Sequence, residues 1–139
     1  MSTEIKAELS KNNEFYISRE RFLELKHFCR QYDLWQMMLT SWSNLHTKCV
    51  LNAERLGHDI LDYTGKTVEY RDKYQRKIDM IQQAAKLADD EIIDILIEGV
   101  TKGRSYNVLE ARHGGLPFSS KYYYERYRKF FYILDGLRN

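Results

Sequence analysis

The chain has 139 residues, 43% of them hydrophobic and 30% charged, with 22 Lys/Arg against 20 Asp/Glu. That length allows one domain, or one small domain plus an appended element, and the near-balanced charge excludes a surface that is basic all over. Two cysteines are too few for a disulfide framework and suit a reducing compartment. No apolar run approaches the ~20 residues that span a bilayer, and the first residues are polar, so the expected location is the cytoplasm.

Residues 1–14 are polar, with Ile5 and Leu9 isolated, and read as a frayed lead-in. Ser18 is a plausible N-cap for a first helix. Phe22, Leu25, Phe28, Cys29 and Tyr32 then recur at three and four, which makes one apolar face. Asp33 followed by Gln36 matches a capping box and restarts a helix almost at once. Trp35, Met38, Leu39, Trp42, Leu45 and Cys49 line that second helix, and Gly57 is expected to stop it. The two helices are expected to pair as a hairpin over residues 15–66. The stretch from Gly57 to Lys66, flanked by glycines, reads as the break after them.

Thr67 is the expected cap of a long third helix over 67–88, with Tyr70, Tyr74, Ile78, Ile81 and Ala85 along one stripe. Asp89 is expected to cap a fourth helix with Ile92, Ile93, Leu96, Ile97 and Val100 inward. The acids Asp89, Asp90 and Glu91 suit its first turn, where the helix dipole favours negative charge. A short fifth helix runs from Tyr106 to about Arg112, capped by Ser105 and ended by Gly114 and Gly115. Ser119 or Ser120 caps the sixth, which runs to about Leu137. No stretch alternates in the manner of a strand. The expected fold is all-α, about six helices, with a trihelical helix-turn-helix unit over 89–139.

The charge is uneven along the chain. From Lys102 to Asn139 there are eight Lys/Arg against three acids, a net of +5. At 100° per residue, Tyr123, Tyr127, Phe130, Phe131, Leu134 and Leu137 fall on one face of the sixth helix. Lys121, Tyr122, Glu125, Arg128, Lys129 and Tyr132 fall opposite, with Arg126 on the flank. A short helix docked behind a longer basic one is a common way to present a helix to the major groove. Residues at the start of such a helix reach base edges, and later ones meet phosphates. The expected base readers are therefore Ser120, Lys121, Tyr122 and Glu125, the last able to accept from a cytosine amino group. Arg126, Arg128 and Lys129 are the expected phosphate contacts, flanked by Lys102, Arg104 and Arg112.

Other motifs carry less. His58-Asp59 is the dipeptide of metal-dependent phosphohydrolases, but it lies in a glycine-bounded loop and is read as a turn. His46 and Cys49 share a helical face, and two ligands do not make a metal site. There is no glycine-rich phosphate loop and no His-Glu-x-x-His. No enzyme activity, cofactor or metal is expected. Trp35, Met38 and Trp42 give the second helix more apolar surface than a hairpin hides, and mark an expected dimer or partner interface.

The C-terminal stretch also resembles a known family. Ser105-Tyr106 with Leu109, then Gly115 to Ser119 as Gly-x-Pro-x-Ser, then Tyr123-Tyr124-x-x-Tyr127-Arg128-Lys129-Phe130-Phe131-Tyr132, is similar to the ends of small phage and prophage proteins of Gram-positive bacteria. These are the late-gene transcription regulators of the RinA/ArpU type, whose ends resemble the helix-turn-helix of sigma factor region 4. The opening Arg21 to Cys29 also looks like such proteins. The resemblance implies a phage-encoded regulator that binds double-stranded DNA, with one departure: the turn from His113 to Phe118 exceeds the three or four residues of the standard motif. It further implies a bacterial host cytoplasm and host RNA polymerase as a partner. A homodimer through the N-terminal helices and the third helix is the expected assembly. The alternatives are a module that docks on a host protein, and a small terminase-like subunit for DNA packaging.

Overall fold

The computed structural model describes the backbone of residues 13–51 and 59–139 and the side chains of 13–41 and 68–139. Most of the polar lead-in, the Gly57 stop, His58, and the side chains of Trp42, His46 and Cys49 lie outside the described residues. The elements are α1 (Arg19–Cys29), α2 (Tyr32–Leu51), α3 (Asp59–Ala88), a 3₁₀ turn (Asp90–Ile92), α4 (Ile93–Lys102), α5 (Tyr106–Arg112) and α6 (Ser120–Arg138). No strand occurs among the described residues. The fold is all-α, as the patterning implies.

Local chemistry sets most helix ends. Ser18, Ser105 and Ser119 each turn a side-chain oxygen onto a backbone N–H three residues on, at Arg21, Val108 and Tyr122. Each satisfies a donor that the helix start would otherwise leave unmade, typically worth ~1 kcal/mol. At the end of α4, Gly103 adopts φ +67°, the left-handed turn that closes a helix and that a side chain strains against.

Three boundaries differ from the sequence reading. α3 starts at Asp59 and runs through Gly65 and Thr67 without a break. One interior glycine costs only ~1 kcal/mol relative to alanine, too little to stop a 30-residue helix. Asp33 lies inside the first turn of α2, which starts at Tyr32, so it is not an N-cap. Asp89 caps the 3₁₀ turn by accepting from the Glu91 N–H, and α4 follows from Ile93.

The chain forms two compact units, Met1–Gln31 with Met80–Asn139, and Tyr32–Asp79. The division falls after Gln31 and Asp79 instead of at 66 and 88. α1 therefore does not share a unit with α2. It packs on α6 and α4. Periodicity shows that α1 has an apolar face, but not which element covers it. In this unit α4, α5 and α6 also pack on one another. Leu25, Cys29, Ile81, Leu96, Leu109, Tyr123, Phe130, Phe131 and Leu134 are fully buried. Each such apolar side chain contributes roughly 1.5–3 kcal/mol of transfer free energy. In the second unit Trp35 is buried, with the Lys77 ammonium 5.3 Å from its ring centroid.

Candidate nucleic-acid interface

α6 is anchored by aromatic packing along its inner side. The Phe22 ring of α1 meets Phe131 edge-on at 5.0 Å, and Tyr127 meets Phe131 at 4.9 Å. Such pairs add ~0.5–1.5 kcal/mol beyond their buried area. Tyr123 is fully buried, its hydroxyl facing Gly99 of α4. A Cβ at Gly99 would come within 2.0 Å of that oxygen, so only glycine lets α4 and α6 approach this closely. The Tyr123 hydroxyl has no hydrogen-bond partner among the described residues, and burial pushes its pKa up.

The turn between α5 and α6 is held at both sides. The Tyr106 hydroxyl donates to the Phe118 carbonyl, and the Tyr106 N–H donates to the Tyr124 hydroxyl at 3.1 Å. Gly114 and Gly115 take φ of +66° and +107°, and the Gly115 N–H closes on the Glu110 carbonyl at 2.8 Å. Glu98 of α4 reaches across to Arg104 at 3.3 Å and to His113 at 3.1 Å. The long turn is thus fastened at Tyr106 and His113, and α6 starts from a fixed point.

The expected site residues fall into two groups. Ser120, Lys121, Glu125, Lys102 and Arg112 are exposed, and Arg128 and Lys129 are half-exposed. Lys121, Arg128, Lys129 and Arg112 form no ion pair among the described residues. Tyr122, Arg126 and Arg104 are instead engaged within the chain. Arg104 pairs with Glu98. The Tyr122 hydroxyl donates to the Asp89 carboxylate, the Arg126 Nε lies 3.3 Å from the same Asp89 oxygen, and the Arg126 guanidinium sits 4.8 Å from the Tyr122 ring centroid. The hydrogen bond to Asp89 also holds the Tyr122 phenol above its ordinary pKa, because losing the proton would break that bond and set two anions side by side.

Asp89 is the residue that sequence reasoning missed in this role. Its capping function is legible locally. Its contact with residues 33 and 37 positions away is not. The one available signal was complementarity, an acidic Asp89-Asp90-Glu91 stretch and a basic α6 in one chain. At the other end of α6, Arg138 pairs with Glu24 at 3.0 Å and lies 4.1 Å over the Phe28 ring, while Arg21 pairs with Asp135. Among the expected interface residues of α2, Trp35 is 2% exposed and Met38 half-exposed. Among the described side chains of that helix, the open apolar ones are Leu34 and Met37.

Among the described residues no group of three or more His, Cys, Asp or Glu could hold a metal ion. Among the described residues no helix is long and apolar enough to cross a membrane. Comparison with protein-family models, with curated proteins and with solved structures returns no match for this chain.

Proposed function

We propose that the chain is a sequence-specific DNA-binding transcription regulator of the phage late-gene type, with α6 as its groove-reading helix. The observation that carries this reading is the outer face of α6. Lys121, Arg128 and Lys129 stand there without an intramolecular counter-ion among the described residues, on a helix whose inner face is filled. Lys121 and Arg128 are seven residues apart, about 10 Å along the axis, so the pair can meet separate phosphates. Ser120, Lys121 and Glu125 lie at the end that reaches base edges, and Arg128 and Lys129 at the end that meets the backbone. α4 and α5 form the support, as in a helix-turn-helix unit. Host RNA polymerase and a second copy of the chain are the partners this reading carries.

The test is fluorescence anisotropy with labelled duplexes between 50 and 200 mM salt. With ~4–6 phosphate contacts per subunit, affinity falls steeply and linearly on a log–log plot. Replacing Arg128 and Lys129 together by alanine weakens binding to all sequences alike and lowers the slope by about two. Salt-insensitive binding, or none at low salt, overturns the reading. Selection of bound fragments from random DNA then supplies the operator. A protein-docking role is favoured by the exposed Leu34, Met37, Val68 and Tyr70. It predicts a protein partner recovered after nuclease treatment, with the α6 cations dispensable.

A further inference from the structure

We infer that Asp89 occupies a phosphate seat on α6, and that DNA gains Tyr122 and Arg126 as contacts by displacing it. The inference rests on the DNA-binding reading and deepens it. One Asp89 oxygen accepts from the Glu91 N–H at 3.0 Å, and the other takes the Tyr122 hydroxyl and faces the Arg126 Nε at 3.3 Å. Carboxylate and phosphate oxygens draw the same donors, a phenol O–H and a guanidinium N–H. Asp89 thus does inside the free protein what a backbone phosphate does in a complex.

The seat is incompletely satisfied. The Arg126 Nε is buried and makes no aligned hydrogen bond among the described residues, although it lies close to the carboxylate. A buried N–H of a charged group left in that state costs free energy, which an aligned acceptor restores. The Asp89 side chain is 10% exposed and that of Arg126 33%, so the pair sits at the rim of the unit and not in its core. The seat lies on the first two turns of α6, beside exposed Lys121, at the end proposed to enter the groove. Asp89 therefore acts as a positioning residue that lowers general affinity for DNA. A duplex must compete with it for Arg126.

The test measures full-length chains on a random-sequence duplex at low salt and across a salt series. Asp89→Asn keeps a capping oxygen, since Asn caps as well as Asp, and removes the competing charge. Binding tightens roughly threefold to tenfold, and the salt slope grows by about one. Asp90→Asn removes an equal charge next door and gives a smaller gain. Arg126→Ala weakens binding in both backgrounds, at least threefold more in the Asp89→Asn chain. Asp89→Ser, another good cap, repeats the series if the Asn chain melts early. Equal gains from Asp89→Asn and Asp90→Asn, or equal losses from Arg126→Ala in the two backgrounds, overturn the inference and leave the DNA-binding reading standing. A wild-type chain that shows no salt-dependent binding overturns both.

Discussion

On its inner side α6 sets Tyr123, Phe130, Phe131 and Leu134 fully out of solvent, whereas its outer side carries Lys121, Arg128 and Lys129 in contact with water. The inner side is specified by shape. Each ring has particular neighbours, and Gly99 is required at one of them. The outer side is specified by charge alone and makes few contacts that hold the fold. Residues on the first side should govern stability, and those on the second should govern affinity for an anionic partner, with little crossover.

The contrast is most exposed by Phe131→Ala, expected to lower unfolding free energy by ~3–5 kcal/mol in urea titrations, as for other buried rings cut to alanine. Arg128→Ala, in the same experiment, should stay within ~0.5 kcal/mol. A comparable cost for the two would dissolve the distinction. Gly99→Ala comes next, at ~1–3 kcal/mol, because the new methyl meets both the Tyr123 hydroxyl and Leu109. Gly136→Ala is the matched control. It lies on α6 with open space around it, and should gain ~0.5–1 kcal/mol from reduced chain entropy.

Alkaline pH sharpens the comparison further. Burial raises the pKa of both Cys29 and Tyr123. Their unfolded values are about 8.5 and 10, so above these the unfolded chain releases protons that the native chain keeps. Stability from these groups is whole below pH ~8.5 and declines as pH rises toward 11. Denaturation midpoints should fall over that window, and Cys29→Ala should flatten the early part of the decline. The smallest effect is Tyr123→Phe. Removing a buried hydroxyl that lacks a partner should leave stability unchanged or raise it by ~1 kcal/mol, read as a melting temperature at or above wild type.

How much of this was legible in the sequence depends on how far apart the interacting residues lie. Ser105, Ser119 and the α6 stripe declare themselves within a few residues, because capping and helical periodicity are local. The continuation of α3 through Gly65 was not legible, since a single glycine is a weak signal that the surrounding helix outweighs. The partner of α1 and the second use of Asp89 were also hidden. Both are contacts between distant segments, Phe22 with Phe131 and Asp89 with Tyr122, and an apolar stripe or an acidic stretch does not name its partner. In the candidate site, exposure of Lys121 and Glu125 followed from helical phase. The withdrawal of Tyr122, Arg126 and Arg104 into intramolecular pairs did not.

The division after Gln31 and Asp79 also sorts the chromophores. Both tryptophans and four tyrosines fall in the Tyr32–Asp79 unit, while the other seven tyrosines fall in the other. Tryptophan emission follows one and near-ultraviolet tyrosine absorbance chiefly the other. Superimposable melting curves from the two signals would mark the chain as a single cooperative system, and separated midpoints would mark the two units as folding independently.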